Sequence, residues 1–294
     1  MKRKTLKKVV NNVSLIIASA LLVVWIGIPL YWVVKTSFAP AEEVWEMTLP
    51  KKPTLQNYID LFRLPKGTIA EVVGTYATIS PTIITPLKNS LIVATVVVVI
   101  TLIVSTTAAY NLSRFSYRGK RLVSYYVLFA YVFPPFILMV PIMLILRFIG
   151  LLNSLIGLSI AQLAYTVPFA TYMLRGYFMG VPKDLDEAAM IDGCSRFQAF
   201  VRVVLPLSLP GLVTVAIFSF TLSWGDIIFP LVCLNTADKY TLPLHVSFYL
   251  WGGEITDPGR LAATVILAGM IPVVLYLAIQ RFIRMGLVAG AVKG

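Results

Sequence analysis

Apolar residues in this chain run in blocks of about twenty or more, separated by short polar segments. A bilayer core about 30 Å thick asks for about 20 apolar residues per helix. The blocks therefore predict about six spanning helices, at 13–34, 90–112, 123–146, 155–174, 210–231 and 261–282. Two segments depart from the pattern. The stretch 39–87 holds Pro40, Pro50, Pro53, Pro65, Pro81 and Pro86, a density that opposes regular helix and predicts a small external cap with some short helices. The stretch 175–209 holds Lys183, Asp184, Asp186, Glu187, Asp192, Arg196 and Arg202 and is too polar to span. Within it Leu185, Ala188, Ala189, Phe197, Phe200 and Val204 recur at helical spacing, and Gly193 interrupts them. That predicts two short helices joined by a bend, lying outside the bilayer.

Composition agrees with a membrane bundle. Charged residues make up 13% of the chain, against about 25% in soluble domains. Mean hydropathy is +0.84. The net charge of +12 sits in short segments between apolar blocks, not on one face, which excludes nucleic acid as the partner and makes lipid the solvent. Lys2, Arg3, Lys4, Lys7 and Lys8 open the chain, Arg114, Arg118, Lys120 and Arg121 follow the second block, and Arg281, Arg284 and Lys293 close it. With six spans all three clusters fall on one side, so the positive-inside rule places both termini in the cytoplasm. A signal peptide has an apolar region of about 7–15 residues. The first block is longer, so it is expected to stay as an uncleaved span. Cys194 and Cys233 have no disulfide or zinc spacing and read as small apolar residues.

Little here supports catalysis. No phosphate-binding loop of the G-x-x-x-x-G-K-[ST] type occurs, so the chain is not expected to hydrolyse ATP. His245 is the single histidine, in a predicted external loop. No metal cluster or nucleophile–base pair stands out, and no cofactor is expected in this chain. The informative run is Pro182-Lys183-Asp184-Leu185-Asp186-Glu187-Ala188-Ala189-Met190-Ile191-Asp192-Gly193. Asp184 and Glu187 are spaced as a capping box. Small side chains at Ala188 and Ala189 would let a partner approach an exposed helix closely. After Gly193 come nine residues and then Val203, Val204, Leu205 and Pro206.

This spacing resembles the EAA loop of ABC importer permeases. Val203 stands where that family prefers isoleucine. Asn89-Ser90-Leu91, Ala108-Ala109-Tyr110, Arg114-Phe115, Leu151-Leu152-Asn153-Ser154 and Pro168-Phe169 resemble the family's permease domain, and Ala289–Gly294 is similar to its carbohydrate-uptake branch of MalG type. The resemblance covers roughly 86–294 and the first span. It implies an all-α membrane protein of the MetI/MalG-like type I importer fold. The domains are then a tail and first helix (1–35), an external loop (36–87), a permease core (88–283) with a coupling loop (178–209), and a C-terminal tail (284–294).

The resemblance further implies coupling helices seated in a cleft of a separate ATPase. Asp184, Glu187, Ala188, Ala189, Asp192, Gly193, Leu205 and Pro206 would form that contact. Two such ATPase subunits would bind the ATP and Mg. A second permease chain, forming a heterodimer, and an extracytoplasmic sugar-binding protein complete the expected assembly in a prokaryotic cell membrane.

Two further features bear on transport. Trp224-Gly225-Asp226 places a carboxylate in an apolar run, where an acid faces a cavity or partner, or else sits at the interface. Both residues are candidate sugar contacts. In the loop 235–260, Tyr249, Trp251, Gly252 and Gly253 read either as an interfacial aromatic belt or as the docking point for the binding protein. Pro134, Pro135, Pro141 and Pro168 fall inside predicted spans and read as kinked packing or hinges. The rival function is an ion-gradient-driven secondary transporter, which calls for several buried ionisable groups and internal repeats. Asp226 is the one buried acid the pattern offers, and no repeat stands out.

Overall fold

The computed structural model describes residues 2–63, 82–251 and 257–291, with side chains described for 12–63, 82–248 and 257–280. Among the described residues there is no strand. Four helices are long and apolar enough to cross a membrane: α1 (Lys2–Ser37), α3 (Ile84–Arg114), α6 (Leu155–Gly180) and α13 (Pro258–Ala291). A short α2 (Gln56–Phe62) lies between the first two. The predicted spans 13–34, 90–112, 155–174 and 261–282 each lie inside one of these four helices.

The other two predicted spans are bent. α4 (Lys120–Val132) and the segment Pro135–Phe148, which contains α5 (Met139–Phe148), meet at 95°. The expected continuous helix over 123–146 is therefore corrected to a broken pair. The cause is local. Proline disfavours helical backbone at the residue before it, and Phe133, ahead of Pro134, is extended at φ −67°, ψ 128°. Pro141 falls in the first turn of α5, where a missing N–H costs little. Pro168 leaves α6 unbroken. The second pair, Arg196–Leu207 and Leu209–Trp224, meets at 76°. Here α10 (Leu209–Trp224) stops at Trp224, short of the expected 231. A break at Gly225–Ile227 separates it from α11 (Ile228–Cys233).

The core is built on α3 and α6, which pack along each other. Thr101 and Thr166 share a buried hydrogen bond of 2.9 Å between them, a polar tie suited to a helix pair in lipid. One apolar cluster joins Val93, Val97, Leu158 and Ala161 to Phe229 and Cys233. A second, at the other end of α6, joins Tyr110, Leu174, Phe178, Phe200, Val204 and Val215. Gly211 makes room for α10 on α6, since a Cβ there would lie 2.5 Å from the Tyr177 ring. Cys233 is fully buried, as its apolar reading expected.

Loop 234–241 is tied back to the bundle by side chains from distant parts of the chain. Asn89 donates to the carbonyls of Asp238 and Tyr240 at 2.8 and 3.0 Å, and Ser90 accepts from the N–H of Leu242. Asn153 adopts a left-handed φ of 57°, which short polar side chains tolerate. From there its Oδ1 accepts the Asn235 N–H at 3.0 Å, and its carbonyl accepts Lys239 Nζ at 2.8 Å.

α1 stands apart from this core. None of its spanning stretch is buried within the chain, and Trp25 is 82% exposed. It touches α13. Its far end is fastened by Lys35, a 3% exposed lysine whose ammonium donates to the carbonyls of Glu43, Val44 and Glu46.

Candidate functional site

The polar segment after α6 folds as two short helices joined by a bend, as its pattern predicts. α7 (Asp184–Ile191) presents two faces set by helical phase. Asp186 is buried, and Ala189 and Met190 are half-buried. Asp184, Leu185, Glu187, Ala188 and Ile191 are exposed. The two alanines therefore diverge: Ala188 faces out, while Ala189 lies toward the body of the protein.

The start of α7 differs from the expected capping box. Lys183 occupies the cap position with helical backbone, and no side chain caps the helix. Asp184 is already the first helical residue, so its carboxylate is past the position from which capping works. The capping box belongs to the next helix, α8 (Arg196–Ala199). There Ser195 Oγ accepts the Gln198 N–H at 3.2 Å, and Gln198 Oε1 accepts the Ser195 N–H at 2.8 Å. Glu187 is thereby free of any capping duty, exposed on the outer face.

The bend rests on Gly193, with φ +90°. The Cys194 N–H reaches the Ala189 carbonyl at 3.0 Å, and the Gly193 N–H reaches Met190 at 3.1 Å. This is the Schellman pattern, whose left-handed residue is ordinarily glycine because a Cβ strains it. Asp192, just before it, is exposed. Beyond α8, a π-helical segment (Phe200–Val204) leads into α9 (Leu205–Leu207). Pro206 has no N–H to return to Arg202, which suits the wider π register ahead of it. Phe200 and Val204 turn into the core, with Tyr110 and Phe200 rings 4.4 Å apart. Leu205 packs beside them and Pro206 is exposed.

A buried ion pair helps to fix the segment to the bundle. Arg114, the last residue of α3, donates through Nε to Asp186 Oδ2 at 2.7 Å, and through Nη2 to the Val181 carbonyl at 3.0 Å. The two side chains are only 4% and 9% exposed. Tyr110 Oη adds a 3.4 Å contact to the same carboxylate. The Arg196 guanidinium lies 5.0 Å over the Phe115 ring, a second tie between α8 and the end of α3. The motif spacing did not single out Asp186. Its signal was present in the phase: it shares the inner face with Ala189 and Met190, three and four residues on. An acid on a buried face needs a cation.

The outer face stays open. Ile191 is 86% exposed and Phe197 71%, beside the exposed acids Asp184, Glu187 and Asp192.

The second candidate site is the break after α10. Asp226 Oδ1 accepts the N–H of Ile228 at 2.9 Å and of Phe229 at 3.4 Å, so the carboxylate caps α11. Oδ2 accepts Gln162 Nε2 at 2.8 Å and lies 3.4 Å from Tyr165 Oη. Ser223 donates in turn to Gln162 Oε1 at 2.5 Å. Trp224 points elsewhere. Its indole N–H donates to the Ala268 carbonyl of α13 at 3.1 Å, and its ring stacks on Phe220. The sequence pair thus separates: Asp226 joins α6, and Trp224 joins α13.

α12 (Leu242–Trp251) fills part of the loop 235–260 and buries His245. The side chains of Tyr249 and Trp251, and residues Gly252 and Gly253, lie outside the described residues. Among the described residues no group of three His, Cys, Asp or Glu side chains gathers as metal ligands.

Comparison with known proteins places this geometry. The family described as binding-protein-dependent transport system inner membrane component matches residues 102–287. The trehalose/maltose transport system permease protein MalG of Thermococcus litoralis is 32% identical over 98% of this chain and 99% of its own length. The diacetylchitobiose uptake system permease protein DasC of Streptomyces coelicolor is 32% identical, with both chains covered in full. In fold, the chain is similar to one from a bacterial ABC transporter involved in the import of the acidic polysaccharide alginate. That match has a TM-score of 0.76 and 20% identity, and covers 96% of this chain and 98% of the other.

Proposed function

Because this chain belongs to the binding-protein-dependent transport system inner membrane component family, we propose that it forms half of the path by which an ABC importer admits an oligosaccharide. A second permease chain supplies the other half. Two separate ATPase subunits bind the ATP and Mg, and an extracytoplasmic sugar-binding protein delivers the substrate. Both termini and the 178–209 segment face the cytoplasm of a prokaryotic cell, in keeping with the basic clusters on that side.

One observation carries the coupling role: a bent helix pair whose inner face is bolted to α3 through Arg114–Asp186 while its outer face is left apolar and acidic. Ile191 and Phe197 supply area for a partner, and Asp184, Glu187 and Asp192 supply charge. Ala188 admits close approach, Gly193 holds the angle between the helices, and Leu205 and Pro206 connect the pair to α10. Ala189 acts from behind, by letting α7 sit close to the body. When nucleotide closes the ATPases, their movement reaches α3 through the bolt and α10 through α9.

Asp226 supports a place on the sugar path. It is an acid held by neutral donors, able to accept hydroxyl hydrogen bonds. Trp224 serves that site indirectly, by holding α10 to α13. The stretch around Tyr249, Trp251, Gly252 and Gly253 is proposed to meet the binding protein; a solved relative in fold is an alginate transporter in complex with a periplasmic protein.

The experiment is sugar uptake in cells expressing the full importer. Glu187→Lys and Gly193→Asp are expected to abolish uptake while leaving the chain in the membrane. Wild-type rates with either change would sink the coupling role. Uptake should fail on ATP depletion and survive an uncoupler; the opposite pattern would favour the ion-driven rival.

A further inference from the structure

Near the ends of α4 and α6 closest to the coupling segment lies a cleft of about 460 Å3 that the coupling role does not use. Lys120, Arg121 and Arg175 line it, with Tyr117, Tyr125 and Tyr172. No acid lines it. The cations have only neutral partners. Lys120 Nζ donates to the Phe115 carbonyl at 2.7 Å, and Arg121 Nε to Tyr125 Oη at 3.0 Å. The Nε of Arg175 is buried and meets no acceptor at all. α4 begins in the same cleft at Lys120, and its N-terminus has no side-chain cap.

Three positive charges, an unmatched buried guanidinium nitrogen and an uncapped helix start all call for the same ligand. It must be an anion with several acceptor oxygens pointing in different directions. A phosphate group fits better than a carboxylate, because Arg takes two oxygens side by side while Lys and the helix end take others. The surroundings say what carries the phosphate. Along the same helix Leu122, Tyr126, Phe129 and Val132 are between 63% and 73% exposed, an apolar face leading away from the cations. Three tyrosines at the mouth suit the depth of lipid headgroups. Basic pockets between spanning helices on the cytoplasmic side are where anionic headgroups bind.

We propose that this cleft holds the phosphate of an anionic phospholipid, with its acyl chains laid along the exposed face of α4. Assigning that lipid to the cytoplasmic leaflet rests on the orientation proposed above; the site itself does not.

The test uses the assembled importer, purified into nanodiscs of phosphatidylcholine with a minority of phosphatidylglycerol, then extracted mildly. Phosphatidylglycerol retained per complex is read by mass spectrometry. Each cation near an anionic headgroup is worth about 1 kcal/mol, or about fivefold in affinity. Arg175→Gln and, separately, Lys120→Gln are each expected to reduce retention about fivefold. Arg147→Gln, an exposed cation outside the cleft, is expected to leave it unchanged. Helical content by circular dichroism is read on every variant, and Arg121→Gln supplies a further test if one fails to fold.

Equal retention by wild type and the folded cleft variants would overturn the proposal. So would a loss as large in Arg147→Gln. A parallel arm adds inorganic phosphate to complexes in pure phosphatidylcholine and reads thermal stability. A shift with phosphate that the cleft variants abolish would assign the site to a free anion and overturn the lipid. No such shift, with retention still dependent on the cleft, is the expected result. Uptake is measured beside these. If it proves ion-driven while retention depends on the cleft, the function above fails and this site stands.

Discussion

Two carboxylates lie inside this protein, near opposite ends of α6, and they are housed differently. Asp186 has a guanidinium partner at 2.7 Å and is almost fully enclosed. Asp226 has an amide, a phenol and two backbone N–H groups, all neutral, and is only half-buried. From Gln162 to Phe178 along α6 is about 24 Å at 1.5 Å per residue. The paired acid belongs to a joint. Its charge is cancelled, its geometry is fixed, and it has nothing left to offer a ligand. The lone acid has no cation beside it, and its oxygens are held by neutral donors alone. The proposed function, with motion passed on at one end and a solute received at the other, would use both arrangements.

The largest expected effect breaks the joint. Arg114→Ala leaves Asp186 buried without its cation, a change that costs about 3–5 kcal/mol. Membrane abundance should fall sharply, and ATPase activity of the assembled importer should lose its dependence on the binding protein. The double replacement Arg114→Met with Asp186→Leu removes both charges and should restore abundance without restoring the dependence. If the double variant transports normally, packing rather than the polar link carries the motion, and the contrast between the two acids loses its meaning.

Asp226 is expected to respond differently. Asp226→Asn retains one oxygen to cap α11, so fold and abundance should hold while sugar uptake falls. Asp226→Leu should also destabilise, by about 1–3 kcal/mol, because the α11 amides and Gln162 lose their acceptor. Full uptake by the Asn variant would reduce Asp226 to a helix cap.

The smallest effect comes from a buried base outside both sites. Burial, with the Arg260 guanidinium nearby, pushes His245 down to about 4 from its usual 6.5. Above pH 6.5 the imidazole is neutral whether α12 is closed or open. As pH falls from 6.5 toward 4, the open form takes up a proton that the closed form refuses. Stability is lost in that window, by at most about 1.4 kcal/mol per pH unit. Hydrogen exchange over 242–248 should quicken at pH 5 relative to pH 7, and His245→Gln should flatten the difference.

Much of the fold was legible because membrane helices announce themselves by length. The bend at Gly193 was legible too, since a glycine interrupting a helical phase has few other meanings. The break at Phe133 was not. Eight prolines sit in the predicted spans, and hydropathy averages through them all; which one breaks a helix depends on its place in the turn. The capping box went to the wrong helix because both D-x-x-E and S-x-x-Q are present, eleven residues apart, and spacing does not rank them. The Arg114–Asp186 pair joins residues 72 apart, and the donors to Asp226 come from a different helix 61 and 64 residues earlier. Local pattern holds no record of such pairings; only the packing of distant helices creates them.

Lys35 sets a dimension that no apolar contact sets. The spanning stretch of α1 is not buried within the chain, so its apolar packing does little to fix its height in the bilayer. Its ammonium, however, is enclosed by three carbonyls of the turn that follows. Shifting the helix by one residue would swing that lysine by about 100° and strip its acceptors away. The lysine is therefore a depth gauge. In a bilayer thicker or thinner than its own, α1 would answer the mismatch by changing tilt, with its Lys35 end held at constant height.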